Sequence, residues 1–349
     1  MNKLYLHIGT HKTGTTEIQQ NLNLARNSLK KEGLIYIPYF PVSFEMMQLQ
    51  CINKNIIIKC IDYLQKQTRH FTDQYGFIMS FEGFSGDLKQ GYKNSHFVAK
   101  TLREATHEFD VTIIVYLRRQ DTFLESVYTQ FIQQGESFSF SEFMGNYDTS
   151  SFNWYQLINN YSELFGINNI ILERYDKKYL PDKKSLVKNF SNIIGSKSLK
   201  ELESEKNHNI GYDMAALEVA RLCNPLLNED EKKTLRHILQ SSGTKQPFSN
   251  YGYFTLDERL KYVEGYRDSN AQIARDYFGD NSGILFPDND SYDKNTYQLT
   301  NNDISSILVL LIKELNKINK IKSRSTLARI FDVIRKILRV RKSRWSKVF

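Results

Sequence analysis

Short runs of β-branched and apolar residues alternate with longer stretches of helical period through the first half of the chain, which predicts βαβ units and a parallel sheet. Five runs have the length and composition of strands: residues 4–8, 34–37, 76–80, 111–117 and 169–174. Between the first two, Ile18, Leu22, Ala25 and Leu29 recur at helical spacing, and Gly33 stands where a helix C-terminal glycine belongs. That makes one complete crossover. Further helices are expected from near Asp121, from about 152 to Gly166, and over 182–195. From about residue 196 the strand signal ends. Helical patterns over 214–223, 229–239, 256–277 and 303–318 take over, with Pro225, Pro247 and Pro287 marking loops. The expected fold class is α/β, with a central parallel sheet of about five strands and a helical C-terminal half.

With 349 residues and 40% hydrophobic content, the chain can bury one large core, or one core and a satellite. Residues 1–319 are read as one domain, with an α/β core over 1–195 and a helical region over 196–319. Cys51, Cys60 and Cys223 are too few and too scattered for a disulfide framework, and no Cys/His cluster has metal-ligand spacing. A reducing compartment and no structural zinc are expected. The start, MNKLYLHIGTHK, does not read as a secretory signal, and the longest apolar run, 307–312, is far short of the roughly 20 residues of a membrane helix. A soluble, cytoplasmic protein is the expectation.

The net charge of +8 suggests nucleic acid until it is located. Residues 320–349 hold eleven Lys/Arg against Asp332 alone, leaving 36 basic and 38 acidic residues in the rest. The body is about neutral, so nucleic-acid binding by it is not expected. In the tail, Leu327, Ile330, Phe331, Ile334, Ile337 and Leu338 recur at helical spacing among the cations. Such a helix can lie on an anionic membrane face with Trp345 at the interface. It can equally dock its apolar stripe on the body, and an acidic glycan or nucleic acid is a third partner.

Directly after the first strand come Gly9, Thr10, His11, Lys12, Thr13, Gly14, Thr15 and Thr16, then a helix. Strand, glycine loop and helix converge N–H groups and the positive helix end on one point, which makes an anion site. A tight turn with an incidental lysine is the plain alternative. The glycines have Walker A spacing, yet Lys12 precedes the second glycine and Thr15 stands where the Walker lysine would. A P-loop kinase also needs a strand-end carboxylate for Mg²⁺. Here the fourth strand runs into Arg118 and Arg119, so the site receives an anion directly, unless these are surface charges at a sheet edge.

An early lysine followed by Gly-Thr-Thr resembles the 5′-phosphosulfate loop of sulfotransferases that use PAPS (3′-phosphoadenosine-5′-phosphosulfate), particularly the bacterial carbohydrate sulfotransferase-like branch. The likeness covers residues 1 to about 195, and beyond that fragments such as SNAQIARDYFG. It implies a P-loop-type three-layer fold, with the donor held by Gly9, Lys12, Thr13, Gly14, Thr15 and Thr16. In that family a strand-end arginine and a serine eight positions later hold the 3′-phosphate; Arg118 and Ser126 have that spacing. ERYDKKYL is similar to the segment that presents a tyrosine to the adenine, which implies Tyr175; an ordinary core or surface aromatic is the alternative.

What the resemblance implies is sulfuryl transfer from PAPS, without a metal, to an acceptor hydroxyl, with a saccharide as acceptor and residues 196–319 on the acceptor side. Lys12 would neutralise the charge on the leaving oxygen, and Glu82, at the carboxyl edge of the third strand, would take the acceptor's proton. Glu82 can also be a plain first-turn glutamate. His11 is the rival base and His208 a remoter third. The competing classes are a P-loop nucleotide kinase and a membrane-associated PAPS-binding protein without turnover.

If the tail is an interfacial anchor, full-length protein co-sediments with anionic vesicles, less with neutral ones and less in high salt. Truncation after Asn319 abolishes that binding. Equal recovery of both forms with anionic vesicles leaves the docked helix.

Overall fold

The computed structural model describes all residues except 41, 73, 149, 177–178, 181–184, 203–211, 242–251, 288–299 and 322–349. His208 and nearly all of the basic tail therefore lie outside the described residues. The chain forms two compact units. The first comprises residues 1–123, 147–207 and 262–288, and the second 124–146, 208–261 and 289–349.

The first unit is built on β1 (Asn2–His7), β2 (Leu34–Ile37), β3 (Gly76–Ser80), β4 (Phe109–Leu117) and β5 (Ile170–Arg174), all parallel, in the order β2-β3-β1-β4-β5. Each lies within two residues of its predicted bounds. β4 is buried without interruption from Val111 to Leu117, as a parallel strand covered on both faces must be. Ile78, Ile114 and Tyr116 pack on one face with Ile18 and Leu22 of α1 (Thr15–Leu24), Leu29 of α2 (Arg26–Lys31), and Leu186, Phe190 and Ile194. Strand alternation turns Ile113, Val115 and Leu117 the other way, toward the face where helices Ser95–Ala105 and Trp154–Phe165 pack together.

The helix ends follow local chemistry. Gly33, Gly166 and Gly195 follow helices with positive φ (78°, 88° and 73°), while Asn153 and Ser185 cap the starts of the helices that Gly166 and Gly195 close. The helix expected over 256–277 is two, Leu256–Glu264 and Arg267–Phe278. The break falls at Gly265, a poor helix residue, and the buried Tyr266 after it donates its hydroxyl to Ser151 O at 2.8 Å. Helices at Lys54–Thr68 and Ser95–Ala105 are additions to the predicted set.

The second unit is helical and takes in the later part of helix Gln120–Gln133, together with Met214–Cys223, Glu229–Ser241 and Asn301–Ile321. Its core holds a buried ion pair: Arg259 donates to Glu125 at 2.8 Å, and the same carboxylate accepts the Tyr253 N–H at 2.9 Å. Rings of Tyr128, Phe140, Phe143 and Tyr253 pack on one another in the same unit, edge-on, tilted or stacked. No described helix is long and apolar enough to cross a membrane.

Phe190 is fully buried between α1 and the sheet and meets the His7 ring edge-on at 5.5 Å. Phe190→Ala should cost about 3–5 kcal/mol, read as a lower denaturant midpoint at unchanged slope. A loss under about 1 kcal/mol would show that this core tolerates the cavity.

Candidate active site

β1 leads to β2 on one side of the sheet while β4 leads to β5 on the other, so the carboxyl ends of β1 and β4 flank a switch point, the usual ligand crevice of an open α/β sheet. The loop from Gly9 to Gly14 lies there. Lys12 (φ 62°) and Gly14 (φ 79°) both take left-handed backbone, which turns the chain sharply into α1. A Cβ on Gly9 would come 2.5 Å from Thr15 Oγ1 and 3.0 Å from the His7 ring, and one on Gly14 2.3 Å from Leu186 Cδ2. Neither position admits a side chain.

Side chains from distant elements hold the loop. Thr10 Oγ1 donates to Tyr116 O at 2.9 Å, Thr13 Oγ1 to Thr10 O at 2.6 Å, and Ser85 Oγ to Ile8 O. Arg118 Nη1 donates to Lys12 O at 3.3 Å, and the His11 N–H donates to Tyr92 Oη at 3.0 Å. The first bonds of α1 come from Glu17 and Ile18 to Gly14 O, so the N–H groups of Gly14, Thr15 and Thr16 have no acceptor among the described residues. These are the donors a helix start offers an anion.

The charged residues gather around this point. Arg118 is half-buried, fixed through Nε to Thr122 Oγ1 at 3.1 Å, with its Cζ 6.0 Å from the centre of the Tyr175 ring. Arg119 has a different fate: it is buried and clamps Asp121 with two 2.7 Å bonds. Of the paired strand-end cations, Arg118 is the one that reaches the loop among the described contacts, and Asp121 bonds to Arg119. Tyr175 lies against Gly14, its Cε2 3.2 Å from where a Cβ there would sit. Burial pushes its hydroxyl up, with the Arg118 charge pulling the other way.

Glu82 opens a short 3₁₀ turn after β3, and Phe81 N–H to His7 O at 3.1 Å keeps it level with the loop. Burial pushes its carboxyl above the usual range, against the Lys12 ammonium beside it. Thr15 Oγ1 itself is buried and outside hydrogen-bonding geometry with any described group. His11 is buried too, with Nδ1 2.7 Å from Tyr92 Oη; burial and then the Lys12 charge bring its pKa down to about 4. Beneath the loop His7 is fully buried, bonded through Nδ1 to Ser80 Oγ at 2.7 Å, and lowered by burial to about 3.

Gly9, His11, Lys12, Thr13, Gly14, Thr15, Thr16, Glu82, Arg118 and Tyr175 thus share the carboxyl edge of the first unit's sheet. Ser126 lies eight residues past Arg118 on helix Gln120–Gln133, where the chain belongs to the second unit; it is buried and its Oγ has no partner among the described residues. Sequence reasoning missed Tyr92, Ser85 and Thr122. Their roles come from contacts made across the fold, and none carries a spacing signal.

No family model matches the chain. A protein of Archaeoglobus fulgidus, named as uncharacterized, is 31% identical over 172 residues, 48% of this chain and 46% of its own length, so the chain spans about half of that relative. The solved structure of a sulfotransferase from Alicyclobacillus acidocaldarius is similar over 67% of this chain and 95% of its own, at 12% identity and a TM-score of 0.38. A likeness that loose carries no argument about this chain.

Both buried histidines fold in the neutral form, so acid favours the unfolded chain, in which they take up protons first. Their contribution is intact above the unfolded value of 6.5 and is lost as pH falls toward about 4 for His11 and about 3 for His7. Stability should drop by about 1 kcal/mol per histidine between about pH 7 and about pH 5.5. The His11→Gln variant should show the smaller drop in urea titrations at the two pH values; an unchanged drop contradicts the assignment.

Proposed function

We propose that this chain is a sulfotransferase that moves the sulfuryl group of PAPS to a hydroxyl of a saccharide. The observation that carries this reading is the convergence of Lys12, Arg118 and the open N–H groups of Gly14, Thr15 and Thr16 on one crevice, with Glu82 beside them. The loop's resemblance to the 5′-phosphosulfate loop supplies the donor class. Against a kinase stands Asp121, held by Arg119 rather than presented to a metal.

In this reading Thr15, Thr16 and the loop N–H groups hold the donor's 5′-phosphate, and Arg118 binds the 3′-phosphate. Tyr175 packs by the adenine. The acceptor oxygen forms a bond to sulfur as the bond from sulfur to the 5′-phosphate oxygen breaks. Glu82 takes the acceptor's proton, and its raised pKa makes it a stronger base than a solvated carboxylate. Lys12 meets the negative charge left on the phosphate oxygen, which builds mainly in the transition state.

PAP, the product nucleotide, should raise the melting temperature without added metal, because a ligand bound only by the native state adds about 2.7 kcal/mol at about 100 times its Kd. Arg118→Ala should remove most of that shift. Stabilisation by ATP with Mg²⁺ and none by PAP would favour the kinase. Release of PAP from PAPS across a panel of glycans tests the acceptor class.

Lys12→Ala should lower turnover by about a hundredfold and donor affinity far less. As base, Glu82 must be ionised, so turnover should fall as pH drops through its raised pKa. Glu82→Gln should keep PAP binding while losing turnover; near-normal rates in that variant would remove Glu82 as base.

A further inference from the structure

Tyr92 is held in left-handed backbone (φ 64°), 81 residues from the loop it touches, and is almost wholly buried. Its ring packs among Phe123, Phe152 and Trp154, so the hydroxyl has one fixed position. That oxygen accepts the His11 N–H at 3.0 Å and lies 2.7 Å from His11 Nδ1. The phenol has one proton to place, and among the described residues Nδ1 is its one acceptor. Nδ1 is therefore the bare nitrogen and the ring proton sits on Nε2. Burial, with the neighbouring Glu82 and Asp87 carboxylates, keeps the phenol protonated, while burial and Lys12 keep the imidazole neutral.

Among the described residues Nε2 has no partner, and it is not among their buried unpaired atoms, so it stays open to them on a residue flanked by Lys12. A neutral imidazole in this tautomer has a donor to offer there and no free lone pair. We infer that Tyr92 is a positioning residue that locks His11 as a neutral Nε2–H donor toward the transferring anionic group, which makes His11 an anion stabiliser and not the general base. The inference rests on the sulfotransferase reading for the identity of that group. The tautomer stands on the hydrogen bonds alone.

Two measurements test it, and they fail separately. In ¹⁵N spectra of the free protein near neutral pH, His11 should show one pyridine-like nitrogen, Nδ1, and one protonated nitrogen, Nε2. In Tyr92→Phe, which keeps the ring, the two forms should mix. A protonated Nδ1 or a charged ring in the native protein overturns the lock whatever the reaction is. In turnover with PAPS, His11→Gln supplies an N–H near the Nε2 position but no proton-accepting nitrogen. It should stay within about threefold of the native rate, whereas His11→Ala should lose about tenfold or more with PAP affinity changed less. Equal loss in both variants, or no loss in either, overturns the donor role. Absence of turnover in the native protein sinks the sulfotransferase reading and the donor role toward sulfuryl, and leaves the spectra to decide the tautomer.

Discussion

The backbone turn at Lys12 and Gly14 is the constraint from which the site follows. Two left-handed positions flank Thr13, and the one at Lys12, a non-glycine residue, is costly unless the surroundings over-determine it. Here Tyr116, Ile8 and Lys12 carbonyls receive side-chain donors from Thr10, Ser85 and Arg118, and Tyr92 receives the His11 N–H. Those bonds fix the loop from both neighbours of β1, since Tyr116 belongs to β4 and Ser85 follows β3. With its backbone so held, the loop leaves the first N–H groups of α1 without an acceptor among the described residues.

The same packing sorts the charges. Arg119 and Asp121 meet each other in a buried two-point bond. Arg118, one residue earlier, emerges on the loop side. Glu82 and Lys12 then form the local balance: burial raises the carboxyl, the ammonium lowers it, and burial prevails. The histidines respond oppositely to the same burial. His7 and His11 are driven neutral, which turns the titratable group nearest Lys12 into a fixed hydrogen-bonding element.

Much of this was legible in the residue order. Short β-branched and apolar runs identified five strands within two residues of their ends, because a strand buried on both faces is near-continuously apolar. Gly33, Gly166 and Gly195 marked helix ends, since the left-handed position after a helix favours glycine. The loop glycines, Lys12 and the strand-end Arg118 were equally readable, because adjacent residues on one turn share a place whatever the rest of the fold does. The strand order β2-β3-β1-β4-β5, which sets β1 beside β4 and so Lys12 beside Arg118, was not: parallel pairing is decided by packing between segments distant in sequence.

The sequence by itself also left Arg118 and Arg119 equivalent, and it did not say what meets the ring of His11. Tertiary structure supplied both. Asp121 reaches Arg119 and not Arg118, and Tyr92, brought from 81 positions away, occupies the Nδ1 of His11. Local chemistry along the chain determines which residues can bind an anion or carry a proton. Which of them does so depends on who fills the remaining hydrogen-bonding position, and only the folded chain decides that.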